Sequence, residues 1–136
     1  MSAPKGFSAK VTYVIYAAPD KVFDALTQEG LIGEWCEDGG FVASNPGGEY
    51  RLFGSWVTGE VLQFDKKKLR LAHTWKPSEW DKKTPASMVE YTFRPHAAGT
   101  ELHIEHTQLP SQKEAEQHSS GWIDFVLEPL NDFFTR

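Results

Sequence analysis

The side chains able to do acid–base chemistry in this chain are a few histidines, tyrosines and carboxylates set in alternating, strand-like stretches. A histidine facing a carboxylate makes a pair whose imidazole titrates near neutral pH. If the turn in "FDKKK" sets Phe64 opposite Leu69, then Leu62 faces Leu71, Glu60 faces His73 and Thr58 faces Trp75. Glu60 and His73 are thus a candidate catalytic dyad. The turn in "RPHAAG" sets Arg94 opposite Glu101, so Phe93 faces Leu102, Tyr91 faces Ile104 and Val89 faces His106. His73, Tyr91 and His106 then share the apolar phase of Leu71, Trp75, Val89 and Ile104. Polar groups in that position either orient a bound ligand or are hydrogen-bonded at the rim of a core. The stretch Trp56–Phe64 admits two phases. Trp56, Leu62 and Phe64 favour one face and Val57 and Val61 the other, with Gly59 as a candidate bulge. Glu60 points inward only on the first.

Other chemistries are excluded. His103 and His106 are three apart on a strand and so face opposite ways. His96 sits at a turn, His118 at a surface helix position, and Cys36 is the lone cysteine, so no zinc site and no other metal site is expected. "NPGGEY" lacks the helix and lysine that phosphate cradling requires. No serine or cysteine occupies a nucleophile elbow, and no cofactor is expected. A net charge of −5 argues against nucleic acid, which needs a basic stripe to displace counterions. Lys66, Lys67 and Lys68 read as a solvated turn. A single cysteine forbids an internal disulfide and points to a reducing compartment. "MSAPKGFSAK" has no apolar stretch that would serve as a signal peptide, and no window is long enough to span a bilayer. The expectation is one cytoplasmic domain, residues 1–136.

The elements that position these residues follow from periodicity. "FSAKVTYVIY" (7–16) places Phe7, Val11, Tyr13 and Ile15 on one face. "AAPDKVFDALT" opens a helix with Pro19 in its first turn and Val22, Phe23 and Leu26 as its buried stripe. Thr27 then caps a short helix carrying Leu31, Ile32 and Trp35. Period two takes over at Phe41–Ala43, Glu49–Phe53, Trp56–Phe64, Leu69–Trp75, Met88–Arg94 and Glu101–Thr107. "KPSEWDKKTPAS" reads as an exposed loop with one odd feature, Trp80. Pro110, Ser111 and Glu114 form a capping-box start for a final long helix, which Pro129 kinks.

That helix is apolar over an unusually wide arc. At about 100° per residue, Trp122, Ile123, Val126, Leu127, Leu130, Phe133 and Phe134 fill one face, and Phe125 and Pro129 widen it to roughly 200°. Six sequential strands form a twisted antiparallel sheet whose concave face must cover this surface. A cavity between them is a natural by-product.

The ordered phrases "APDKVFDALT", "LIGEWC", "GEYRLF", "GEVLQFDKKKLRLAHTW", "FRPHAAGTELHIEHTQLP" and "HSSGWIDFVLEPL" resemble the helix-grip superfamily (START-like, SRPBCC, Bet v-like). More narrowly, they resemble the group named after the C-terminal domain of the activator of the heat-shock protein 90 ATPase. Cys36 stands where many relatives carry a second tryptophan, and Pro129 departs from their last helix. The resemblance implies an α+β fold of order β-α-α-β6-α with an internal cavity that the superfamily uses for lipids, sterols, hormones and polyketides. The heat-shock activators carry a separate N-terminal domain for which this chain has no room.

Three functions are therefore expected, in this order. The first is binding of a small apolar or amphipathic, lipid-like ligand by Trp35, Trp56, His73, Trp75, Tyr91, His106, Trp122, Phe125 and Val126. Second is a stress-related contact with a chaperone through the outer sheet face, where Lys10, Arg70, Thr74 and Arg94 project. Third is cyclase-, dehydratase- or hydrolase-type catalysis by Glu60 and His73.

Overall fold

Alternating apolar side chains become seven strands, and the computed structural model describes them within residues 6–136. The order is β1 (Phe7–Ile15), α1 (Pro19–Thr27), α2 (Glu29–Trp35), β2 (Gly40–Val42), β3 (Glu49–Leu52), β4 (Val57–Asp65), β5 (Arg70–Pro77), β6 (Ser87–His96) and β7 (Gly99–Leu109). The C-terminal helical stretch follows as α3 (Gln112–Gly121), a π-helical turn (Trp122–Leu127) and α4 (Glu128–Thr135). The strands lie in the order β1-β7-β6-β5-β4-β3-β2, with every neighbouring pair antiparallel. β2 to β7 run as a meander, while α1 and α2 carry the chain from one sheet edge to the other. The inner face, including Val11, Ile15, Trp75, Val89, Phe93 and Ile104, forms one core with Trp122, Val126, Leu127 and Leu130. This is the expected α+β helix-grip fold.

The tight connection between β6 and β7 produces the anticipated register, with Arg94 opposite Glu101, Tyr91 opposite Ile104 and Val89 opposite His106. β4 differs. Phe64 pairs with Leu71, not Leu69, and a bulge between Val61 and Gln63 switches the phase of the strand. Val57 and Val61 are fully buried, and Leu62 stands exposed at the bulge. Gly59 is not that bulge. A Cβ there would collide with the Thr74 backbone carbonyl, so glycine permits β4 and β5 to cross closely. In β1 a register shift between Phe7 and Ala9 leaves Phe7 exposed and buries Ala9 instead.

The helices show the same mixture. Thr27 does not cap α2; it ends α1, and its hydroxyl donates to the Phe23 carbonyl at 2.7 Å. Ser111 does cap α3, accepting the Glu114 N–H at 3.1 Å. Pro129 has no N–H to give to the Phe125 carbonyl, and its ring would crowd that group. The chain answers with a wide turn just upstream: the Glu128 N–H bonds the Ile123 carbonyl, five residues back. No helix among the described residues is long and apolar enough to cross a membrane.

Replacing Gly59 with alanine forces backbone apart where β4 meets β5. Gly59→Ala is expected to lower unfolding free energy by about 1–3 kcal/mol, read as a lower urea midpoint. An unchanged midpoint would refute the close crossing.

Candidate functional site

Polar chemistry inside the core is built on three imidazoles. His73 on β5 sets its Nδ1 at 2.8 Å from the Thr74 carbonyl. A carbonyl only accepts, so Nδ1 carries the proton, and Nε2 accepts the Tyr91 hydroxyl at 2.8 Å. Tyr50 stacks on the same ring at 3.5 Å between centroids. On β7, His106 Nδ1 accepts the Trp122 indole N–H at 3.0 Å. Its Nε2–H therefore donates to Ser87 Oγ at 2.7 Å, and that hydroxyl donates to the Trp75 carbonyl at 2.8 Å. His118 on α3 accepts the Trp75 indole N–H at 3.2 Å and donates Nδ1–H to the Glu114 carbonyl at 2.8 Å. Every ring nitrogen is engaged.

These partners decide the chemistry. Burial lowers the His73 pKa to about 3, and burial with the neighbouring His118 and His73 lowers that of His106 to about 2. Both rings are neutral at ordinary pH. Burial likewise pushes the Tyr50 and Tyr91 phenols up and holds Cys36 as a thiol. Ser87 and His106 are spaced like a nucleophile and its base, yet the imidazole gives the serine a proton and both side chains are inaccessible. No free imidazole lone pair is left for a metal, and among the described residues no three metal-ligating side chains converge.

The Glu60–His73 dyad does not form. Glu60 is exposed and lies opposite Glu49 on β3, whereas His73 is wholly buried and opposite Val61. The turn moves the pairing by two residues from the expected register and the bulge at Leu62 takes one back, and the net one-residue offset turns Glu60 to the other face.

A cavity of about 430 Å³ opens instead between the helical stretch and the β4–β5 side of the sheet. Trp56, Trp75, Trp122, Phe125 and Val126 line it, with Phe53, Pro77, Glu79, Trp80, Glu114, Gln117, His118 and Gly121. Trp56 and Phe125 are 39% and 64% exposed and form its mouth. Trp75 and Trp122 form its back wall, their ring centroids 4.9 Å apart. Phe53 reaches the wall from a left-handed backbone conformation, φ 53°, beside Trp56.

The other expected ligand contacts lie elsewhere. Trp35 ties α2 to α1 through its indole N–H and the Ala25 carbonyl at 2.8 Å, and His73, Tyr91 and His106 sit behind the wall as its polar support. His118 is not the surface residue its helical position suggested; it faces the cavity and bonds Trp75. Sequence periodicity overlooked Phe53, Glu79 and Glu114. Trp80, the aromatic out of place in a polar loop, was the one signal for that side of the cavity.

The family model described as "Activator of Hsp90 ATPase homolog 1-like protein" matches residues 16–134. The chain belongs to this family. No curated protein matches the sequence significantly. Among solved structures, an HSP90 activator from Plasmodium falciparum, PFC0360w, is 23% identical, with a TM-score of 0.83 over 96% of this chain and 97% of that one. Protein MLL2253 from Mesorhizobium loti is 26% identical, with a TM-score of 0.74 over 96% and 98%. The protein Ara h 8.0201 is 11% identical, with a TM-score of 0.73 over 96% and 99%. Likeness at such low identity shows a shared helix-grip fold, which is compatible with both ligand binding and chaperone contact.

Neutral buried histidines give this family member a defined acid response. The unfolded chain takes up protons at His73 and His106 near pH 6.5, whereas the folded chain resists to about 3 and 2. These groups leave stability unaffected above pH 6.5 and reduce it as pH falls through the window below, by up to about 2.7 kcal/mol per pH unit for the two. Urea midpoints should fall steeply between about pH 6 and 4, and His106→Gln should flatten that slope.

Proposed function

We propose that this chain binds a small apolar or amphipathic molecule in the cavity between its C-terminal helical stretch and its sheet. The observation that carries this reading is the cavity itself. About 430 Å³ falls within the roughly 300–1,000 Å³ range of small-molecule sites. Phenylalanine and tryptophan supply six of its thirteen lining residues, and its mouth keeps Phe125 and Trp56 in contact with solvent. Large apolar side chains left exposed around a concavity mark a binding surface. No part of the proposal calls for catalysis, because the only acid–base pair expected from the sequence is taken apart by the fold.

Gly121 supplies the test. It lies in the last turn of α3 on the cavity wall, and a Cβ there would meet only a Phe125 ring carbon at 3.9 Å. A larger side chain therefore fills the cavity without pushing on the backbone. The neutral fluorophore N-phenyl-1-naphthylamine is expected to bind saturably to the purified protein. Gly121→Leu should weaken that binding at least about tenfold while keeping or raising Tm, since leaving glycine in a helix is worth about 0.5–1 kcal/mol. No saturable uptake by the wild-type chain overturns the proposal, as does unimpaired uptake by the variant.

A second reading, stimulation of the heat-shock protein 90 ATPase, is favoured by the family match. The outer sheet face carries a shallow groove of about 330 Å³ lined by Lys10, Arg70 and Arg94 together with Glu90 and Glu105. Thr74 is not in it; its hydroxyl accepts the Glu60 N–H at 2.8 Å. ATP hydrolysis by the purified chaperone should rise on adding the chain and should not rise with Arg70→Glu/Arg94→Glu. A rate equal to that with an unrelated acidic protein removes this reading.

A further inference from the structure

We infer that the cavity selects a cationic amphiphile, a ligand with an amine or quaternary ammonium head on an apolar body. This rests on the proposal that the cavity binds small molecules and adds the charge of the head group. Six aromatic residues line the cavity: Phe53, Trp56, Trp75, Trp80, Trp122 and Phe125. Two carboxylates, Glu79 and Glu114, line it as well, and no lysine or arginine does. Lys76, between the lining residues Trp75 and Pro77 on β5, reaches the Lys82 carbonyl instead.

The two acids are placed differently. Glu79 accepts the Trp56 indole N–H at 2.7 Å, which fixes a full negative charge beside an aromatic ring at the mouth. Glu114 projects from the first turn of α3, its Oε1 3.4 Å from His118 Nδ1. The His118 proton is already given to the Glu114 carbonyl, and the other ring nitrogen is an acceptor for Trp75. With its Nε2 accepting from Trp75, His118 sets no ammonium or guanidinium charge against the Glu114 carboxylate. Among the described residues, neither carboxylate makes a salt bridge to lysine or arginine.

Aromatic faces are electronegative and attract a cation held within about 6 Å, most strongly when the cation carries little water of its own. Carboxylates add a direct attraction that strengthens where the walls exclude solvent. The same two charges repel an anionic head and offer a neutral hydroxyl a single hydrogen bond without the attraction between opposite charges. A soft cation with an alkyl or aryl tail satisfies all three features together: tail against Trp75, Trp122 and Val126, head between the rings and the acids at the mouth.

The experiment is a titration of 15N-labelled protein with three eight-carbon probes: octyltrimethylammonium, octanol and octanoate. The tryptophan indole signals report the site. Trp35, bonded to Ala25 away from the cavity, is the internal reference. Octyltrimethylammonium should shift the Trp56 and Trp80 signals and leave Trp35 in place. It should bind at least about tenfold more tightly than octanol and more tightly still than octanoate. Glu79→Gln/Glu114→Gln should cut the cation-to-octanol affinity ratio at least about fivefold. Equal binding of cation and alcohol, a preference for octanoate, or an unchanged ratio in the variant overturns the charge selectivity and leaves the cavity proposal standing. Silence with all three probes while N-phenyl-1-naphthylamine still binds also overturns it. Failure of every probe removes both.

Discussion

Two indole–imidazole hydrogen bonds hold sheet and helix together, and they run in opposite directions. Trp75 on β5 donates to His118 on α3, and Trp122 in the π turn donates to His106 on β7. Buried indole N–H groups are costly without acceptors, and a neutral imidazole supplies one acceptor nitrogen while its other nitrogen donates elsewhere. Each histidine has such an outlet, in the Glu114 carbonyl or Ser87. In each pair the nitrogen facing the indole must be an acceptor, and for His106, buried and held neutral, that also removes the ring from acid–base chemistry.

The shape of the cavity follows from how the helix is interrupted. Pro129 cannot sit in the middle of a regular α-helix, and the turn from Trp122 to Leu127 widens by one residue to accommodate it. That widening keeps Trp122, Val126 and Leu127 buried while leaving Phe125 in solvent. The helix consequently does not close against the β4–β5 end of the sheet. Space remains there, roofed by the loop carrying Glu79 and Trp80.

Most of the architecture was legible in the sequence because its pieces are locally constrained. β6 and β7 join through a short turn, so turn chemistry alone sets which residues oppose one another, and Val89, Tyr91 and Phe93 alternate without interruption. β4 was not legible in the same way. Its two competing phases were both correct, one on each side of Leu62, and nothing local reveals where a strand changes face. The wide apolar arc of the last helix was real, but a constant step of about 100° per residue cannot anticipate a π turn. Phe125 was placed at the cavity for the right side chain and with too much burial. Glu79 and Trp80 belong to a loop without period, where only tertiary contact assigns a role.

The borders of the sheet have a consequence of their own. One border is β2, three residues long, and the other is β1, distorted by its register shift near Phe7. Unpaired strand backbone is a template on which a neighbouring molecule can add. Here the β2 rim is too short to seed such growth, and the register shift breaks the β1 rim at its start, which confines any such addition to the regular stretch from Ala9 to Ile15.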